Sequence, residues 1–341
     1  MSSKLSLLFD RFTLTLIAVV ATASVLPAHG VGAVFFKHLT AAAIALLFFM
    51  HGAKLSRQAI VAGATHWRLH VVVFAWTFVI FPILGWALRP VLVPLLGAPL
   101  YVGVLYLCVL PGTVQSAIAF TSIARGNVPA AVCAASASSI IGIVVTPLLL
   151  QLLLQTDTSA LGSGDLLQSI LRISQEILLP FVAGHLMRPW LGRWMDGHRT
   201  LVRNVDQSSI LLVVYTAFSE SVVEGLWHQV DTVSLIWLVL TCMVLLGVVL
   251  TLNTWSTRRL GFKREDEITI VFCGSKKSLA TGVPMAGVLF SASAIGPVLL
   301  PLMLFHQLQL MVCAVLAQNY LRQHEAAQAA PERTVAASVS G

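Results

Sequence analysis

Long apolar runs separated by short polar and basic segments dominate the chain. Ten of them have roughly the 20-residue length a helix needs to cross a bilayer. They are Phe12–Ala28, Val34–Ala53, Trp67–Leu88, Leu100–Ala124, Val128–Leu154, Leu166–Met187, Gln207–Leu226, Thr232–Asn253, Glu267–Phe290 and Ala294–Leu321. The pattern predicts an all-α polytopic membrane protein. Residues 1–11 make a short basic start. Residues 322–341, rich in Ala, Gln and Ser without an apolar period, predict a disordered tail.

Two runs are interrupted at mid-depth. The ninth reads EITIVFCGSKKSLATGVPMAGVLF, with Gly274-Ser275-Lys276-Lys277-Ser278 near its centre. A lysine at the bilayer centre costs about 2.5 to 3.5 kcal/mol, which a span serving only as an anchor would not carry twice. The pattern predicts a broken helix whose polar middle faces a cavity, where irregular backbone is tolerated. The alternative is a cytoplasmic loop between two shorter segments, but Ile268–Cys273 and Leu279–Phe290 are each too short to cross. The fourth run is broken in the same way by Leu110-Pro111-Gly112-Thr113-Val114-Gln115-Ser116. Pro111 removes a donor and clashes with the preceding turn, and Gly112 frees the backbone. Read alone, this is a proline-kinked packing helix; paired with the ninth, it predicts a shared site.

Ten spans divide into residues 1–154 and 155–321, two sets of five. The odd number per set inverts one half relative to the other, a plan common among transporters. With both termini inside, sixteen lysines and arginines fall on cytoplasmic segments, against Lys37, Arg89 and Arg172 outside, so positive charge orients the chain strongly. The predicted location is the plasma (inner) membrane, with many passes. A signal-peptide reading of the first run, ending Leu-Pro-Ala-His-Gly, would leave nine spans and an outer N-terminus.

Composition narrows the classes further. At 57% hydrophobic and 10% charged, these 341 residues do not make a soluble globular chain. The net charge of +7 lies in short loops rather than a basic patch, so no nucleic-acid partner is expected. Five cysteines, all in apolar runs and none in CxxC spacing, predict neither disulfides nor a zinc site. There is no HExxH, no GxSxG and no GxGxxG, and Gly274-Ser275-Lys276-Lys277-Ser278 lacks the first glycine of a Walker loop. The chain is not expected to be an enzyme.

Other polar residues inside the runs have ordinary explanations. Glu176 has Arg172 one turn earlier, and that intrahelical pair stands against a proton-relay role. Glu220 and Glu224 sit near an outer end, at the interface or shaping a vestibule. His306, Gln307 and Gln309 lie mid-tenth run, where a histidine is a packing group or, near Lys276, a titrating one. Ser136, Ser138 and Ser139 let helices approach closely.

Several stretches together resemble the bile acid:sodium symporter family. They are Pro111-Gly112-Thr113, Ala124-Arg125-Gly126-Asn127-Val128 and Thr146-Pro147-Leu148-Leu149, with Met50-His51-Gly52-Ala53-Lys54-Leu55 and Ile80-Phe81-Pro82. Gly274-Ser275-Lys276-Lys277-Ser278-Leu279-Ala280 and Phe305-His306-Gln307-Leu308-Gln309-Leu310 are similar to its divergent branch, that of sodium/bile acid cotransporter 7 and bacterial homologues. The resemblance covers roughly residues 10 to 322. It implies ten helices in a panel domain (first, second, sixth and seventh spans) and a core domain in which broken helices four and nine cross. Substrate would sit between the domains and sodium ions behind the crossing. Anchored on Arg125-Gly126-Asn127-Val128, the family's sodium ligands fall on Ser116, Ala117, Ala131, Ala135, Phe272, Lys276, Lys277 and Thr77. Sodium wants oxygen ligands, so most of its expected site is missing. A charged Lys276 would repel the ion by about 4 kcal/mol at 4 Å and an effective dielectric near 20.

The reading is therefore a secondary active transporter of symporter type, working by alternating access on a small anionic organic solute. Its site is Pro111, Gly112, Thr113, Gln115, Ser116, Gly274, Ser275, Lys276, Lys277, Ser278 and His306. No catalytic residue, no metal site and no cofactor is expected, apart from the sodium that the resemblance implies. One alternative is proton-coupled or uncoupled transport with a lysine replacing sodium. Another is a channel or a non-transporting membrane regulator. The partners are the solute and the bilayer.

Overall fold

The structure, a computed structural model, describes residues 11–54, 66–154, 174–223, 225 and 231–339. Among these the chain is helical throughout, with no strand. In chain order the helices are α1 (Arg11–Val25), α2 (Val31–Lys54), α3 (Trp67–Ala87), α4 (Arg89–Leu96), α5 (Ala98–Val109), α6 (Gln115–Ile123) and α7 (Val128–Leu154). After them come α8 (Leu179–Gly197), α9 (Arg199–Val223), α10 (Thr232–Arg259), α11 (Arg264–Gly274), α12 (Leu279–Leu289) and α13 (Ala292–Val339).

Five described helices are long and apolar enough to cross a membrane: α2, α3, α7, α10 and Ala294–Ala326 within α13. The fourth and ninth runs fall below that length because each is split in two, into α5 with α6 and α11 with α12. Buried helices are apolar on every side, and α5 is buried at every residue from Leu100 to Val109. Residues Glu267–Gly274 of α11 are buried likewise. Of the four half-helices, α5, α11 and α12 are thus buried inside the molecule, whereas α6 buries only Ala117 and Thr121. Large apolar side chains on α2, α3 and α10, such as Phe35, Val71 and Ile236, face outward.

The boundaries differ from the apolar pattern in places. Helix α9 starts at Arg199, eight residues before the apolar run, because Val202 and Asp206 already face inward. Helix α4 was not anticipated: a proline in its first turn starts it, and Gly97 at φ 78° ends it. Helix α13 carries on past Leu321 to Val339: Ala, Gln and Glu propagate it well as far as Ala330, and its course across Pro331 has no such explanation. The start of the sixth run, with Arg172, lies outside the described residues, as do Glu224, Lys4 and Arg57.

Helices α1, α2, α8 and α9 pack mainly on one another, and α8 lies close along α2. The remaining helices surround the split pair, and α9 also touches α12 and α13. At one end, Glu267 ties three elements together. Its Oε1 accepts from Arg264 Nη1 at 2.8 Å, Arg258 Nη2 at 3.2 Å and the Tyr320 hydroxyl at 3.2 Å. Both guanidinium groups are about half exposed, so solvent screens much of the charge term. Glu267→Gln keeps an acceptor but loses its charge. It is expected to cost about 1–2 kcal/mol, read as a lower midpoint of thermal unfolding in detergent. An unchanged midpoint would show that the network carries no stability.

Candidate functional site

The two interruptions meet, and the carbonyls freed by the first can be traced one by one. Where helix α5 ends, Pro111 offers no N–H, and the Gly112 amide donates sideways to Ser138 Oγ at 3.1 Å. The Val109 carbonyl accepts from the Thr146 hydroxyl at 2.8 Å, and the Pro111 carbonyl from the Ser278 amide at 3.0 Å. The carbonyls of Cys108 and Leu110 accept from the Lys277 ammonium at 2.8 and 2.7 Å. A Cβ on Gly112 would lie 3.0 Å from the Cys273 carbonyl, so a side chain there would press the two breaks apart.

The third acceptor of Lys277 Nζ is the Thr77 carbonyl, at 2.9 Å. Thr77 lies in a π-helical turn, Trp76–Ile80, whose amides donate five residues back, as Phe81 does to Trp76. The next residue, Pro82, has no amide to give Thr77, and so that carbonyl is left for the lysine. An ammonium has three donors, and here all three meet main-chain oxygens. The Phe81 ring lies 4.2 Å from Nζ and covers the ammonium. Lys277 is fully buried. Its own peptide is gripped by Gln309, whose Oε1 accepts from the Lys277 amide while Nε2 donates to its carbonyl, both at 2.8 Å.

Lys276 is equally buried but loosely held. Its Nζ lies 3.4 Å from Ser116 Oγ, and 4.4 and 5.5 Å from the Phe120 and Phe272 ring centres. Ser116 passes its own proton to Thr113 Oγ1 at 2.8 Å. Among the described residues neither lysine has a carboxylate partner. One ammonium is therefore locked by carbonyls, and the other rests on a hydroxyl and two aromatic faces.

Beside the breaks lies a cavity of about 360 Å³. Thr113, Gln115, Ser116, Ser278 and His306 line it, along with the first turns of α6 and α12. Ser278 caps α12, accepting from the Thr281 amide at 3.2 Å. His306 Nδ1 lies 2.9 Å from Gln309 Nε2 and 3.5 Å from the Lys277 carbonyl oxygen. Of the other residues in the sequence reading, Pro111 packs on Gly142, Gly274 packs on Trp76 and Asn253, and Ser275 bonds back to Val271. None of these three lines the cavity, and neither do Gly112, Lys276 and Lys277, which lie behind its wall of half-helix ends.

The opposite wall was not anticipated. It brings His51, Arg203, Asp206 and Gln207 to the cavity. Asp206 accepts from Lys54, a partner 152 residues away, and no spacing in the sequence signals that pair. A second cavity of about 330 Å³, lined by Lys54, Asp196 and Thr200, shares Gln115 and Arg203 with the first. A third, of about 370 Å³, holds Lys37, Thr40, Glu176, Thr216, Glu220 and Gly287, and shares no lining residue with the first.

Apolar helices enclosing a polar break, with lipid-type faces outward, define an integral membrane protein. The chain belongs to the SBF-like CPA transporter family, which matches residues 10–322. It is 58% identical over 334 residues to the putative symporter YfeH of Escherichia coli, covering 96% of this chain and 98% of that one. An uncharacterized protein of Pseudomonas aeruginosa, PA2026, is 60% identical over 321 residues, 94% and 96% of the two chains. Sodium/bile acid cotransporter 7 of Rattus norvegicus is 28% identical over 314 residues, 90% and 91% of the two. These relatives are named as transporters rather than enzymes, apart from the uncharacterized one.

Proposed function

We propose that the protein is a secondary active transporter that moves a small organic anion by alternating access. The observation that carries this reading is the meeting of two broken helices over a cavity, with the Lys277 ammonium held by three freed carbonyls. Converging half-helix N-termini favour negative charge, and the first turns of α6 and α12 both face the cavity. The transport activity in the relatives' names supports the same class.

Ten spans in two inverted sets of five account for the two matching interruptions. Cavities at two levels along α2, α9 and α12, sharing no lining residue, suit a carrier with two access states. The end with Lys54 and Arg203 is the one the charge rule places in the cytoplasm.

Sodium coupling of the family's usual kind does not suit the residues present. The three carbonyls that would serve an alkali cation are filled by an ammonium, and Phe272, Ala117, Ala131 and Ala135 bring no oxygen side chains. Lys277 takes the place of a resident cation. Lys276, weakly held beside Ser116, is the charge that responds to the solute or exchanges a proton.

Uptake of labelled organic anions into proteoliposomes tests this. Saturable uptake driven by a pH gradient is expected, and its rate and pH profile should change in the Lys276→Gln, Lys277→Gln double variant. Drive by sodium alone, or a double variant with wild-type behaviour, would overturn the role given to the lysines. Absence of flux for every anion would overturn the carrier reading.

A further inference from the structure

We infer that the cavity takes a zwitterion, a solute carrying both a carboxylate and an amine, and that Asp206 receives the amine. This rests on the transporter reading above and deepens it by giving the solute a second group.

Asp206 stands on α9, across the cavity from the half-helix ends, and is 7% exposed. One carboxylate oxygen, Oδ2, receives the Lys54 ammonium. The other, Oδ1, is buried and has no hydrogen-bond partner among the described residues. Buried polar atoms nearly always find partners, and an orphan calls for an explanation. The neighbours do not supply a donor. His51 lines the same cavity, but its Nδ1 is engaged with the Leu47 carbonyl at 2.8 Å. Gln207 and Gln115 line the cavity without bonding to Asp206.

The two walls therefore differ in the hydrogen bonds they leave unmet, with Arg203 and the Lys54 ammonium standing beside Asp206 on the second. One presents the N-terminal turns of α6 and α12 and the Ser116 hydroxyl that touches Lys276. Backbone amides and the helix dipole make that wall electropositive. The other carries Asp206, whose Oδ1 is closed to solvent and without a donor. A plain carboxylate in the cavity would suit the first wall and leave Oδ1 facing nothing, or a like charge. A solute with an ammonium at its other end satisfies both walls. Arg203, one turn before Asp206 and shared by the entry cavity, lies on the route of the carboxylate end.

The test is thermal unfolding of the full chain in detergent, titrated with matched pairs: β-alanine against propionate and 4-aminobutyrate against butyrate. For the wild type, the amino acids should half-saturate the shift at concentrations at least about tenfold lower than the plain acids. Asp206→Asn should abolish that preference while leaving the response to plain acids in place. Lys54→Met removes the salt bridge without the carboxylate, and should keep the preference. Equal responses in the wild type, a preference surviving in Asp206→Asn, or its loss in Lys54→Met would each overturn the inference. Plain acids that bind as well as amino acids sink this inference alone. If neither class shifts the midpoint, the anion-carrier reading falls as well.

Discussion

Removing the Lys277 ammonium is expected to destabilise the protein, by about 1–3 kcal/mol for each carbonyl left without its donor less the relief of the ammonium's desolvation. Two effects compete. Losing a buried ammonium relieves its desolvation, worth several kcal/mol. Against this, the carbonyls of Thr77, Cys108 and Leu110 lose their donor together, at about 1–3 kcal/mol each. All three donors of the ammonium are matched, so the orphaned oxygens should win. The form of the rescue is specific. Lys277→Ala leaves a space walled by three carbonyl oxygens, the ligand type that hard cations prefer. Its unfolding midpoint should rise in sodium chloride relative to choline chloride at equal ionic strength, while the wild type shows no such difference. A Lys277→Ala protein as stable as wild type in both salts would show that the contact carries nothing.

Gly184→Val is expected to have an effect of similar or larger size, through packing alone. A Cβ at Gly184 would sit 1.9 Å from the Phe49 carbonyl oxygen, and one at Gly52 1.9 Å from that of Phe181. These obstacles are backbone atoms of the partner helix, so no rotamer change relieves them. Helices α2 and α8 would have to separate along their shared face, breaking the contacts that make them a unit. Small residues at such crossings are a recurring feature of membrane helix pairs. The measurement is the yield of monodisperse protein and its unfolding midpoint, both expected to fall sharply. Gly247→Ala is the control, because a Cβ there meets nothing within 4 Å. It should be neutral or gain up to about 1 kcal/mol of helix propensity. Equal behaviour of the two variants would refute the packing argument.

Some of this architecture is legible in the chain and some is not, for physical reasons. The breaks at Pro111-Gly112 and Gly274-Ser278 are readable because proline and buried lysine carry large local costs that show without partners. The lysines' different fates are not readable. Which one meets carbonyls depends on a π-helical turn around Thr77, some 200 residues away. Ile80-Phe81-Pro82 marked that place only as part of a resemblance, yet the absent Pro82 amide is what frees the carbonyl. Gln309 had been grouped with a packing histidine, and its two-sided grip on the Lys277 peptide follows from long-range placement. Asp206 was missed because it precedes the apolar run assigned to its helix. Lys54, its partner, reads in the sequence only as a cytoplasmic charge within a stretch of family resemblance. Glu176 and Glu220 come together with Lys37 in one cavity, which helical spacing within either run did not reveal.

The three-carbonyl seat of Lys277 also has a mechanical meaning. A single side chain from the ninth run is riveted to the third and fourth runs, and Gln309 clamps the same residue from the last helix. These bonds couple the segments to one another. On the carrier reading proposed above, relative motion falls to the seam between them and α1, α2, α8 and α9, where Asp206 and the half-helix ends line one cavity.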